Sequence, residues 1–171
     1  MHQGIGLDAF NRLSLQKAVH ALYECCNSVV MARALADGRP YGSHEELLRR
    51  ADTLLFALSE SSVDTILQAY PHIGRRPRST KSHAEQCSVW DPRPEVMAEL
   101  DAAAQRYAEC FGFSFVMFVD GIDAQGVRAA ISDRLHHDVD TERKVVRNEL
   151  AKINRTRLER MLGPEGGYHN W

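Results

Sequence analysis

The sequence predicts an all-α fold, a single-domain bundle of seven or eight helices over residues 1–171 with one extended aromatic segment. Three observations lead there. Apolar residues recur at helical spacing through most of the chain. Ser/Glu capping signatures and Gly or Pro stops separate those stretches. One short run alone, Phe111-Gly112-Phe113-Ser114-Phe115-Val116-Met117-Phe118-Val119, is apolar and rich in aromatic and β-branched residues. Periodicity does not separate a buried strand from a buried irregular segment there.

Taken in order, Ser14 caps a helix carrying Leu15, Val19, Leu22, Tyr23, Val29 and Val30, expected to end near Asp37-Gly38 before Pro40. Ser43-His44-Glu45-Glu46 is a capping box opening a second helix through Leu47, Leu48, Leu54, Leu55 and Leu58. Ser62 starts a short third helix with Val63, Ile66 and Leu67, stopped by Pro71. Ser82-His83-Ala84-Glu85 is another capping box. After Pro92 and Pro94 a helix runs through Val96, Leu100, Ala104, Tyr107 and Ala108. Gly121 ends the aromatic run, and two further helices are expected at about 124–137 and 142–162, before the tail Gly163-Pro164-Glu165-Gly166-Gly167.

With 171 residues, 44% of them hydrophobic, the chain can bury a sizeable core. A net charge of -2 and a pI near 6.4 argue against a nucleic-acid partner. No apolar run approaches the roughly 20 residues that span a bilayer, so no membrane partner is expected. The start, Met1-His2-Gln3-Gly4, lacks the pattern of a signal peptide, and the chain reads as cytoplasmic. The four cysteines form no CxxC pair. Cys26 or Cys87 as a nucleophile is a weaker reading than a buried structural thiol. His136-His137 matches no metal-ligand spacing and reads as a solvated helix end.

Chemistry-bearing residues concentrate between Tyr70 and Gln86. Tyr70-Pro71-His72-Ile73-Gly74 and Ser82-His83-Ala84-Glu85-Gln86 flank a basic loop at 75–81, and loops on a rigid scaffold commonly carry function. These segments, together with Arg39-Pro40-Tyr41-Gly42-Ser43, Phe111-Gly112-Phe113-Ser114-Phe115-Val116 and Ile153-Asn154-Arg155-Thr156-Arg157-Leu158, resemble the 2-oxo-4-hydroxy-4-carboxy-5-ureidoimidazoline (OHCU) decarboxylase family. So does the opening, with Phe10, Leu13, Tyr23, Cys26 and Ser28. The family carries Arg-Pro-Phe, Ser-x-x-Glu-Gln and Phe-Gly-Phe-Pro-Phe-Ile at the corresponding places. The resemblance spans nearly the whole chain. It implies an all-helical, cofactor-free lyase of the urate-to-allantoin pathway, acting on a small anionic heterocycle as a homodimer.

One departure matters. The family's His-Pro-x-Ile/Leu-Gly holds its acid/base histidine, and here Tyr70 takes that place; Ser114 stands for the usual Pro. The resemblance therefore implies catalytic roles for Tyr70 or His72, Glu85 and Arg157. It implies substrate contacts at Pro71, Ser82, Gln86, Phe113, Phe115 and Val116. Removing CO2 without a cofactor needs a group to hold the carboxylate, and a guanidinium does so bidentately. It also needs a proton donor with a pKa near the working pH. Tyrosine, ordinarily near 10 against about 6.5 for histidine, donates well but is a poor base. Gln86 can read ureido or ring amide groups, and Phe113 with Phe115 can wall the site.

Blander readings stand beside these. Ser82 and Glu85 cap a helix whether or not they catalyse. Arg157 is by default a solvated charge paired with Glu149 or Glu159, and the phenylalanines are by default core. Two alternatives to OHCU decarboxylation remain: a divergent member recruited to another heterocycle in a specialised biosynthetic pathway, and a non-catalytic binding protein.

Overall fold

The computed structural model describes residues 4–70, 72–73 and 87–164. Eight α-helices lie among them: α1 (Leu7–Arg12), α2 (Leu15–Cys26), α3 (Val29–Asp37), α4 (His44–Ala57), α5 (Glu60–Ala69), α6 (Pro94–Phe111), α7 (Ala124–Arg134) and α8 (Val139–Leu162), with a 3-10 turn at Cys87–Val89. There is no strand among the described residues. The all-α expectation holds. The chain forms two compact units, Met1–Ile66 with Ala151–Trp171, and Leu67–Leu150.

Local chemistry explains most boundaries. The helix expected from Ser14 to Asp37 is two helices. Asn27 adopts the left-handed conformation at φ 53°, and the Ser28 hydroxyl then accepts from Met31 N–H at 3.2 Å to open α3. Asn tolerates that region better than most residues, so it serves as a stop that an apolar pattern does not reveal. In α4 the Ser43 hydroxyl accepts from Glu46 N–H at 3.1 Å, and the Glu46 carboxylate accepts from Gly42 N–H at 2.7 Å. The capping box is thus formed with its return bond one residue earlier. Helix α5 starts at Glu60 rather than Ser62, because Ser59 supplies the cap to Ser62 N–H at 3.2 Å.

The two last helices meet earlier than the expected gap at 138–141. Leu135, His136 and His137 turn through short-range bonds to Ile131, Asp133 and Arg134 carbonyls. Asp138 then caps α8 by accepting from Thr141 N–H at 2.7 Å. Helix α6 has Pro94 at its start and ends on Gly112 at φ 81°, a conformation that costs glycine nothing. Beyond it the aromatic run is irregular, with Phe113, Phe115, Val116 and Val119 buried.

In the first unit α2 packs on α3 and α3 on α4, burying Leu22, Met31, Leu35, Leu47 and Leu55. The segment before α1 is strapped to the end of α8 by Ile5 N–H to Met161 O and Gly6 N–H to Leu162 O, both 2.8 Å. The Arg39-Pro40-Tyr41 motif is a structural clamp. Arg39 donates to the carbonyls of Ala36, Phe10 and Leu13 at 2.9, 3.0 and 2.7 Å. Tyr41 and Asn11 exchange two bonds at 2.9 Å, and the Tyr41 hydroxyl donates to Leu35 O at 2.7 Å. These bonds occupy carbonyls at the ends of α1 and α3, which helical geometry leaves orphaned. In the second unit α6 packs on α7, which also touches the 3-10 turn.

Candidate functional site

Arg157 belongs to the first unit, on α8. The buried positions Leu150, Ile153, Asn154, Arg157 and Leu158 recur at the i, i+3, i+4, i+7, i+8 spacing of an inward helix face. Arg157 is only 5% exposed, so it is not the solvated charge expected of a lone helical arginine. That role falls to Arg155, which pairs with Glu45 at 3.2 Å and Asp52 at 3.0 Å on α4. Cys26 is also buried in this unit. Burial pushes its thiol above the ordinary value, and the positive charge of Arg157 offsets this only in part. A thiol so held is a poor nucleophile. Cys87, by contrast, is exposed, so the buried structural reading does not extend to it.

The other described candidates belong to the second unit. Tyr70 follows the last turn of α5, half-buried, with its hydroxyl oxygen fully buried. His72 is exposed and Ile73 is buried. Residues two apart in a chain face different ways, and here the phenol takes the inward direction. Pro71, Ser82, Glu85 and Gln86, with the basic loop 75–81 and the second capping box, lie outside the described residues.

Phe113 and Phe115 are buried in an aromatic cluster. Phe115 meets Tyr107 edge-on at 5.1 Å between centroids, and Phe113 meets it edge-on at 6.0 Å while stacking on Phe111 at 5.9 Å. Guanidinium groups lie over two of these rings, Arg143 over Phe113 and Arg134 over Phe115, each at 4.3 Å. Both rings therefore have a core role whatever else they touch.

Sequence reading missed the polar network that supports this segment. Glu142 is 0% exposed. Its carboxylate accepts from Arg134 Nε at 2.6 Å and from the Tyr107 hydroxyl, and its other oxygen faces His137 Nδ1 at 3.0 Å. Arg134 also donates to the Val116 carbonyl at 2.7 Å. On the far side Phe118 N–H donates to the Glu149 carboxylate at 3.1 Å. The 113–118 backbone, which has no ladder or helix of its own, is thus tied down by side chains. Burial alone would raise the Glu142 carboxyl, but the bonds from Arg134, Tyr107 and His137 outweigh it and hold it below the ordinary value. Burial and the bond to Glu142 push the Tyr107 phenol strongly up. His137 is exposed at the end of α7, as expected of a solvated helix end, and in addition reaches Glu142. Its adjacency to His136 carried no hint of this, because its partner lies in the next helix. Among the described residues no group of three His, Cys, Asp or Glu is placed to hold a metal, and no helix is long and apolar enough to cross a membrane.

Comparison with known proteins agrees across the chain. Residues 11–159 match the family model for OHCU decarboxylase. The 2-oxo-4-hydroxy-4-carboxy-5-ureidoimidazoline decarboxylase of Haloferax volcanii is 29% identical over 180 residues, covering 96% of this chain and 100% of that protein. The uric acid degradation bifunctional protein of Bacillus sp. strain TB-90 is 27% identical over 162 residues, covering 91% of this chain; the chain spans only 32% of that longer protein. In fold, the crystal structure of an OHCU decarboxylase in the presence of (S)-allantoin superposes with a TM-score of 0.73 at 21% identity, over 82% of this chain and 95% of the other.

Proposed function

The chain belongs to the OHCU decarboxylase family, and from that premise we propose that it is a cofactor-free carboxy-lyase converting OHCU to (S)-allantoin. The observation that carries this reading is the family match over residues 11–159, which runs through both compact units. The same span supports treating residues 1–171 as one functional domain.

Loss of CO2 breaks the bond between the ring and its carboxylate. The electron pair moves toward the neighbouring ring C=N, and a proton must then reach the ureido-bearing carbon from one face. Arg157 anchors the carboxylate so that the breaking bond aligns with that π-system; its burial supports the assignment, because charge interactions strengthen where water is excluded. Glu85, with Tyr70 or His72, handles the proton. The buried hydroxyl oxygen of Tyr70 and the exposure of His72 favour the tyrosine. Ser82 and Gln86 orient the ureido group, and Pro71, Phe113, Phe115 and Val116 complete the apolar lining.

The test is decarboxylation of freshly generated OHCU by the purified protein, followed by circular dichroism of the allantoin formed. A single enantiomer appearing faster than spontaneous decay is the expected result. Tyr70→His is expected to raise the rate about tenfold or more, because an imidazole titrates far closer to pH 7 than a phenol. Tyr70 also favours a second reading, recruitment of the same scaffold to another carboxylated heterocycle. An inactive wild type beside an active Tyr70→His would decide for it. The family resemblance suggests a homodimer, and the sequence pattern suggests the cytoplasm. The four free cysteines suit a reducing compartment, and light scattering of the purified chain tests the dimer.

A further inference from the structure

Asn154 is the polar group on this face that the reading so far does not use. Its side chain is 3% exposed, and its Oδ1 is buried without a hydrogen-bond partner among the described residues. Buried amides are nearly always paired, so an orphaned one calls for an explanation. It stands one turn before Arg157 on the same buried face of α8. Residues three apart on a helix are neighbours on one face, so the positions of Asn154 and Arg157 adjoin. One buried face of the first unit thus carries a guanidinium and, one turn away, an amide oxygen without a hydrogen-bond partner among the described residues.

We propose that Asn154 is a specificity-determining residue whose Oδ1 accepts an N–H from the heterocycle whose carboxylate Arg157 holds. The inference rests on the decarboxylase reading and extends it. The ligand class it selects is a carboxylated ring bearing a ureido or ring N–H on an atom next to the carboxylate-bearing carbon. Arg157 has donors only and cannot read such a group. An amide oxygen can, and a site that leaves its acceptor unpaired when empty discriminates against ligands that lack the donor. Neighbouring polar residues do not duplicate this role: Arg155 is committed to Glu45 and Asp52, and the Thr156 hydroxyl donates to the Lys152 carbonyl at 3.0 Å.

The experiment compares wild type with Asn154→Leu and Asn154→Ala in three measurements. These are the melting temperature, calorimetric binding of (S)-allantoin, and KM for OHCU. The leucine variant is expected to melt at or above wild type, since an unpartnered amide is exchanged for an apolar side chain of similar size. Its affinity for (S)-allantoin is expected to fall about tenfold, with a matching rise in KM, the loss of one hydrogen bond. The alanine variant should show the same loss of affinity should leucine not fit. Unchanged affinity and KM in both folded variants would overturn the proposal while leaving the decarboxylase reading intact. A wild type that neither binds (S)-allantoin nor decarboxylates OHCU would instead overturn that reading, and this inference with it.

Discussion

Arg157→Ala is expected to lower kcat/KM for OHCU by about 10²–10³-fold, the usual loss when one preorganised charge-stabilising donor is removed from a site. Arg157→Lys is expected to recover little of it. A lysine ammonium is a point charge on a flexible stem and lacks the planar fork that fixes a carboxylate in two places. The loss should fall on both kcat and KM, because in the proposed mechanism one contact both binds the carboxylate and holds its bond in line with the ring. Steady-state decarboxylation followed by circular dichroism reads the effect, with a thermal melt to show that the variants fold. A lysine variant within threefold of wild type would remove the bidentate assignment. The prediction turns on burial: at 5% exposure the guanidinium works in a dry surrounding, where its charge counts for more than at a helix surface.

Glu142→Ala is expected to cost about 3–5 kcal/mol of stability, because it leaves the buried Arg134 without its counter-charge. That is a drop in melting temperature on the order of 10 °C for a chain of this length. It should be accompanied by increased amide exchange over residues 113–118, since Arg134 would lose the carboxylate that orients it toward the Val116 carbonyl. Glu142→Gln keeps the volume and one acceptor and should cost less. The pH dependence has a definite sign. Glu142 is held below its ordinary value of 4.5, so its contribution is complete above that pH and is lost as pH falls through the lowered native value. Melts of wild type and Glu142→Gln between pH 7 and pH 3 should therefore converge at the acid end. Curves that stay parallel would show that Glu142 is not the group whose protonation destabilises the fold.

Local signals in the chain already marked most of the helices. Ser14 and Ser43 accept from N–H groups three residues on, and Pro94 opens α6. These caps work within a few residues and are readable as such. The stop at Asn27 is not written in the apolar pattern, because one left-handed residue ends α2 without an apolar break before α3. Ser59 and Ser62 are both good caps, and only the folded backbone chooses between them. The candidates Arg157, Tyr70 and the Phe113–Val116 run rest on the family's order of motifs, which is written along the chain. The network of Tyr107, Arg134, His137 and Glu142 is not legible there, because its members are joined by no fixed spacing.

The sequence by itself determined the helical class, the family and the residue types available for chemistry, since periodicity, caps and motif order are written along the chain. Tertiary structure decided which charges act as what. Arg155 and Arg157 stand two residues apart with equal formal charge, yet one bridges two carboxylates on α4 and the other is buried on the inward face of α8. The reason is that a side chain's burial, and with it the strength of its charge and the company it keeps, depends on the direction its helix face takes in the fold, which no short window of residues specifies.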